Sequence, residues 1–300
     1  MTYYEDDFAA LCAEYDVVVM MFYVQNLSFI RRALSNSFTT KYIFWGIGVR
    51  ASQKHEFDSP TFINHFRYFL ASKADAMIFY TDYARNKYIS KSLPSEKLFV
   101  MPNTVFVRDM DLSAYEKKHL LFVGTLNKSK KIFELLDCYD QAKAKNPNLP
   151  KLEIVGGGVD HEGVKEWVAE KGYSDQIMVH GPIYDEETLS ELFVGALACI
   201  SPGQAGLSVL KSFGYGVPFI TTKNAVTGGE RLNIDDGKNG LLYGDSADLE
   251  GIILDIAVNR EKYIEMGSNA RSFYMQERSP ENMAKGFIDA VSYVLSKAEK

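Results

Sequence analysis

The chain has 300 residues, enough for two domains of ordinary size. It is 46% apolar and 24% charged, without low-complexity tracts, and its net charge of −6 leaves no basic footprint for nucleic acid. Residues 1–109 are near neutral, with 12 Lys/Arg against 11 Asp/Glu, so the acidic excess lies beyond them. Cys12, Cys138 and Cys199 are far apart and make no CxxC pair, and the five histidines never fall at ligand spacing. Both facts argue against disulfide, structural-zinc and dithiol chemistry, and no metal is expected. Apolar runs at 17–23 and 120–124 are too short to span a bilayer. Glu5, Asp6 and Asp7 deny the N-terminus the basic flank of a secretory signal. The expectation is a cytoplasmic protein that can touch the inner face of a membrane without crossing it.

In chain order, β-type runs alternate with amphipathic stretches. Residues 16–23 predict a strand, 27–34 a helix and 41–45 a strand. A helix over 59–73 leads to a strand at 76–80, then a helix near 83–92 and a strand at 98–101. Pro102 and Asn103 close this series, and the polar stretch 108–118 reads as a linker. A second series has strands at 119–123, 151–155, 176–179, 198–201 and 218–222 with helices between, then mostly helix from 247 to 298, broken near Ser279-Pro280. Such alternation implies an α/β fold with parallel sheets. The division expected is 1–110, 111–280 and a helix at 281–300 that packs back on the first part. With about four strands the N-terminal domain is short for a doubly wound half, so either it is reduced or residues that normally precede it are absent.

Three segments carry chemistry. Val123-Gly124-Thr125 ends a strand and runs through Asn127 and Lys128 to Lys130 and Lys131 before a helix near Ile132. Phosphates bind at such places because free backbone N–H groups and the helix dipole converge there, and the lysines add charge. Ser201-Pro202-Gly203-Gln204-Ala205-Gly206-Leu207-Ser208 again joins a strand to a helix, with the N-cap expected near Gly206. Gly203 and Gly206 let the backbone approach a ligand, so the N–H groups of Leu207 and Ser208 can face a diphosphate. Thr227-Gly228-Gly229-Glu230 exposes backbone and offers a carboxylate to sugar hydroxyls. Gly156-Gly157-Gly158 reads as a tight turn. Gly46-Ile47-Gly48-Val49-Arg50-Ala51 formally matches GxGxxA, but the acidic residue expected about twenty positions later is missing, so the dinucleotide reading is discounted.

Together these residues resemble the GT-B glycosyltransferases, particularly the large retaining family known as family 4 or group 1. Val123-Gly124-Thr125-Leu126 with Lys130 resembles its donor-phosphate loop, and 152–157 its "L.IVG.G" strand. Gly206-Leu207 and Gly216-Val217-Pro218 are spaced as in its "EGFGLxxLEAMACGVP" segment. Gly229-Glu230 resembles its "GG..E" turn, Asn239-Gly240-Leu241-Leu242 its "NGLL" strand, 98–103 its "VIPNG" and Trp45-Gly46-Ile47-Gly48 its "WGHG".

The resemblance implies two Rossmann-like domains facing a cleft and transfer of a sugar from a nucleotide-diphosphate donor. The acceptor is a saccharide or lipid-linked, and the setting is surface polysaccharide assembly. It implies no metal or cofactor. Gly124, Thr125, Lys130, Gly203, Gly206, Leu207, Ser208, Lys211 and Glu230 would bind the donor, and Glu230 becomes the main carboxylate near the sugar. The family's paired glutamates fall on Gly203 and Lys211, its loop arginine on Thr125 and its acceptor-side histidine on Ile47. A branch with Ser-Pro-Gly-x-x-Gly-Leu in the glutamate segment accounts for the first pair, and there Lys211 would meet the ribose or phosphate. The alternative is a GT-B-like protein that binds a nucleotide sugar or a partner enzyme without transfer.

Overall fold

The computed structural model describes residues 10–23, 40–51 and 57–298. The helix expected at 27–34 lies outside them. The chain divides into two units, one comprising residues 1–51, 57–103 and 280–300, the other chiefly 104–279.

In the first unit four parallel strands stand in the order β1 (Val17–Met21), β2 (Lys41–Gly46), β3 (Ala76–Phe79), β4 (Leu98–Val100). All four residues of β3 are buried, as expected of a strand covered on both faces. One face packs under α1 (Ile63–Lys73) and α2 (Asp82–Ile89) through Phe44, Leu70, Ala71, Met77, Phe79 and Tyr88. Ala290 and Val294 cover Ile43, Ala76 and Ile78 on the other face. They belong to the C-terminal helix Pro280–Ala298, which therefore returns to the first sheet. A Cβ at Gly286 of that helix would lie 2.1 Å from Val100 O, so only glycine permits this approach.

The Gly46–Ala51 turn is filled by protein. Gly48 has φ +76, and a Cβ there would meet the Phe79 ring at 2.6 Å. Tyr88 Oη donates to Gly48 O at 2.8 Å. No space remains against Gly48 for a pyrophosphate, and the GxGxxA match is a packing motif.

The second unit holds six parallel strands: β5 (His119–Val123), β6 (Lys151–Val155), β7 (Ile177–Gly181), β8 (Ala196–Ile200), β10 (Phe219–Thr222) and β12 (Gly240–Tyr243). Their order is β12-β10-β8-β5-β6-β7. The short β9 (Gln204–Ala205) and β11 (Val226–Thr227) pair separately. On one face α3 (Ile132–Lys145), α4 (His161–Glu170) and α7 (Ser246–Val258) bury Leu135, Tyr139, Val164 and Ile253 against Leu120, Phe122 and Ile154. On the other, α5 (Glu186–Val194), α6 (Ser208–Gly214) and α8 (Arg260–Glu277) bury Phe193, Phe213 and Tyr274 against Leu121, Cys199 and Phe219. Alternate β5 side chains thus enter opposite cores, which is why the run reads as continuously apolar.

Within the mostly exposed stretch 108–118, Met110 and Leu112 pack on the second core, as do Val105 and Val107 just before it, and residues 112–114 form a short 3-10 turn. Lys117 donates to Val194 O and Ala196 O at 3.1 and 3.2 Å. His119 Nε2 lies 2.7 Å from Leu192 O; a carbonyl only accepts, so Nε2 carries the proton. Together they satisfy carbonyls around the C-terminus of α5.

Burial pushes the Lys117 ammonium down to about 8 and holds His119 below its ordinary value. Where a folded-state pKa is depressed, the unfolded chain binds more protons and stability rises with pH. For His119 the stability is complete above about pH 6.5 and is lost as pH falls through the lower folded value. Urea midpoints should therefore drop from about pH 7.5 to about pH 5. His119→Gln, which can still donate to Leu192 O, should flatten that slope, and an unchanged slope would refute the assignment.

Candidate functional site

In the six-stranded sheet the chain winds outward from β5 through β6 and β7, then returns to the other side of β5 at β8. Between β5 and β8 the order reverses, and loops leaving the carboxyl ends of such a strand pair diverge to leave a crevice. The loop after β5 begins at Gly124 and the loop after β8 at Ser201. Two of the three segments singled out from sequence flank this switch point.

The loops are bound to each other through backbone. Gly203 N–H donates to Lys130 O at 3.2 Å, and Val226 N–H donates to Gly203 O at 3.0 Å. A Cβ at Gly203 would stand 2.1 Å from Ser129 O, too close for any other residue. β9 and β11 then join Ala205 to Thr227 in register, drawing the third segment alongside.

The Gly156–Gly158 run contributes from the β6 side. Leu126 N–H donates to Gly157 O at 2.9 Å and Asp160 N–H to Leu126 O at 3.1 Å. Gly156 and Gly158 have φ +156 and +148, and their Cβ atoms would fall 1.9 Å from Gly124 O and 2.3 Å from Leu126 O. The expected tight turn is the bed on which the Gly124–Leu126 loop lies.

Lys130 ends a 3-10 turn that Asn127 caps by accepting from Ser129 N at 3.0 Å. Lys131 follows in the left-handed region, at φ 53, and starts α3. The Lys130 side chain folds back over Gly124, so that a Cβ there would be 3.2 Å from Nζ. Lys130 is 9% exposed, and burial lowers its pKa. Its ammonium has no hydrogen bond or ion pair among the described residues. Thr125 is exposed beside it. A desolvated, unpaired cation is costly, and an anion at the crevice removes the cost.

Helix α6 starts at Ser208, and Leu207 before it already has helical torsions, so the chain enters the helix near Gly206. Gly206 has open space where a Cβ would be. Ser208 Oγ is buried and unpartnered among the described residues.

Lys211 does not stand free for a nucleotide. Its Nζ bonds Glu186 Oε1 and Oε2 at 2.5 and 2.7 Å and Phe106 O at 2.8 Å, which occupies its three donors. Tyr215 Oη joins the same Glu186 at 2.7 Å. Lys211 therefore serves as a tie between α5, α6 and the chain leaving Thr104. Glu230 opens a 3-10 turn, and its Oε2 accepts from Gly228 N at 2.9 Å and Thr227 Oγ1 at 3.2 Å.

Arg231, not singled out from sequence, is half-buried, and burial lowers its pKa. Its identity carried no motif, and only the turn position marks it. Among the described residues no group of three His, Cys, Asp or Glu is placed to hold a metal.

The model of the family described as "Glycosyl transferases group 1" matches residues 108–273. Trehalose synthases of Thermococcus litoralis and Pyrococcus furiosus are each 25% identical over 237 residues, covering 70% of this chain and 54% of the relative. The chain thus spans about half the length of these curated relatives. Among solved structures, Anabaena Alr3699/HepE in complex with UDP superposes with TM-score 0.70 at 15% identity, over 96% of this chain and 81% of that one. The lipopolysaccharide outer core galactosyltransferase WaaB gives 0.67 at 18%, over 96% and 78%. S. aureus TarM, in a complex with UDP, gives 0.67 at 17%, over 94% and 58%. These likenesses show the GT-B fold of two Rossmann-like domains. By the family match over more than half its length, the chain belongs to the group 1 glycosyltransferases.

Proposed function

We propose that this chain binds a nucleotide-diphosphate sugar at the β5–β8 switch point and transfers the sugar to a saccharide or lipid-linked acceptor. The observation that carries the reading is Lys130, buried against Gly124 with no hydrogen-bond or ion-pair partner for its ammonium among the described residues, beside two glycine-containing loops. When the glycosidic bond to the donor breaks, negative charge collects on the leaving diphosphate. Lys130 and the N–H groups at the start of α6 are fixed before that charge appears, which lowers the barrier by electrostatic preorganisation. Gly124, Thr125, Gly203, Gly206, Leu207 and Ser208 would line the diphosphate, and Glu230 would face the sugar. With the charge answered by Lys130 and backbone, the reaction needs no metal. Retention of configuration, a role in surface polysaccharide assembly and contact with the inner membrane face rest on the family resemblance.

A second reading, binding without transfer, is favoured by the state of the carboxylates. Glu186 is held by Lys211 and Tyr215, and Glu230 is engaged by Gly228 and Thr227. Release of nucleoside diphosphate that depends on added oligosaccharide or lipid-linked acceptor separates the two.

Calorimetric titration with UDP-, GDP- and dTDP-sugars should show one base class binding. Lys130→Ala should weaken nucleoside diphosphate binding by about 10- to 100-fold and leave the bare nucleoside unaffected. If no nucleotide sugar binds the wild-type chain, both readings fail.

The two loop glycines should behave differently. Gly203→Ala forces Ser129 O away and should cost about 1–3 kcal/mol of stability. Gly206→Ala should stay within about 0.5 kcal/mol of wild type while weakening nucleotide binding, because its Cβ enters space the donor needs. Equal thermal shifts in the two variants would contradict this placement.

A further inference from the structure

The turn that carries Glu230 has little to hold it in its own backbone. It is a 3-10 turn of four residues, Glu230–Asn233, entered through Gly228 and through Gly229 at φ +130. A 3-10 turn this short has poor hydrogen-bond geometry, and two glycines before it add no stiffness. Side chains hold it instead. Thr227 Oγ1 accepts from Gly229 N at 3.0 Å and from Arg231 N at 3.1 Å. Asn233, 8% exposed, donates from Nδ2 to Glu230 O at 2.9 Å. Its own carbonyl accepts from Asn239 Nδ2 at 3.0 Å, and Asn239 Oδ1 in turn accepts from Asp235 N at 2.8 Å.

The other polar atom of the Asn233 side chain meets a cation from the end of α8. Arg278 Nε donates to Asn233 Oδ1 at 2.8 Å. A guanidinium only donates and Glu230 O only accepts, so the amide can stand in one orientation alone. The Arg278 guanidinium carbon lies 5.1 Å from the Phe273 ring centroid, and the Arg278 carbonyl accepts from Thr104 Oγ1 at 2.5 Å. Thr104 and Arg278 stand beside Asn103 and Ser279, after each of which the chain passes from one unit to the other. Hydrogen bonds thus run from Thr104 through Arg278 and Asn233 to the main chain of Glu230.

We infer that Asn233 and Arg278 are positioning residues for the sugar-side carboxylate: Arg278 orients the Asn233 amide, and the amide fixes the turn so that Glu230 meets the donor sugar. The inference rests on the reading of Glu230 given above and extends it from the group that faces the sugar to the two that aim it. A guanidinium–amide pair suits this task. Its charge-assisted bond sets the direction of the amide without bringing a second carboxylate to the turn. Asn233→Asp keeps the acceptor for Arg278 and loses the donor to Glu230 O, so it separates aiming Glu230 from joining Arg278 to the turn.

Calorimetry on the full chain tests it by comparing UDP-, GDP- or dTDP-glucose, whichever wild type binds, with the matching nucleoside diphosphate. Asn233→Asp should lower affinity for the nucleotide sugar about tenfold and leave that for the nucleoside diphosphate unchanged. Arg278→Met, which keeps an unbranched stem against Phe273, should do the same. In a Glu230→Ala background neither substitution should have any further effect. Amide exchange at Gly228, which donates to Glu230 Oε2 at 2.9 Å, should quicken about tenfold in both variants. Equal losses for the two ligands would overturn the inference, as would a loss that persists in the Glu230→Ala background. Wild-type behaviour of Asn233→Asp would overturn it too, leaving the amide as a tie between Arg278 and the turn. If no nucleotide sugar binds wild type, exchange at Gly228 decides. Quickening in both variants then upholds the aiming of Glu230 and leaves the donor reading alone failed, whereas unchanged exchange overturns both.

Discussion

Gly124, Gly156, Gly158 and Gly203 let three loop backbones meet with no side chain between them at the carboxyl ends of β5, β6 and β8. Added Cβ atoms at Gly156, Gly158 and Gly203 would each lie within 2.3 Å of a carbonyl oxygen on a neighbouring loop. Close packing of this kind has little freedom to adjust, because backbone cannot rotate away as a side chain can. The position of Lys130 follows from it. Its carbonyl is held by Gly203, and Asn127 shapes the turn that precedes α3. Its ammonium is laid over Gly124, the residue that itself rests on Gly156. A ligand at this crevice would meet a rigid arrangement of dipoles and charge, and the cost of ordering it is met in folding rather than in binding.

The cations withdrawn from water in the second unit are treated in two ways. Lys117 is given two carbonyls and Lys211 a carboxylate and a carbonyl. Each is thereby made part of the scaffold, as burial of charge demands. Lys130 is given nothing among the described residues. Sequence groups Lys130 with Lys211 and leaves Lys117 in a linker, and only their surroundings set Lys130 apart from the other two.

That distinction marks the boundary of what was legible beforehand. The run 120–123 announces a buried parallel strand, because both of its faces are apolar, whereas 151–155 shows itself by alternation. The switch-point loops were legible for the same reason, since strand end, glycine and helix start are written in order along the chain. What lay hidden depends on contacts distant in sequence. The β9–β11 pair involves two residues from each strand and no periodicity. The Gly156–Gly158 run signals a turn from sequence, yet its function is to receive Leu126 from thirty residues earlier. The polar pattern of 108–118 reads as linker because its apolar members are interspersed with charge. The packing of Met110 and Leu112 on the second core depends on helices that come later.

Lys211 bears most on how the site is understood. Its departure from the family pattern looks, from sequence, like a lost acidic group and hence like decay of an active site. Its three contacts give a different physical reading. Glu186 is contributed by α5, and the lysine neutralises it while gripping Phe106 O. Tyr215 links the same Glu186 to Arg108 N, so the chain entering the second unit is tied twice to α5 and α6. Either charge alone would be left half-buried and unpaired, and the pair leaves neither so. Lys211 is thus part of the scaffold that joins α5, α6 and Phe106. The carboxylate question at the crevice then rests on Glu230, whose Oε2 is fixed by the turn that brings it there.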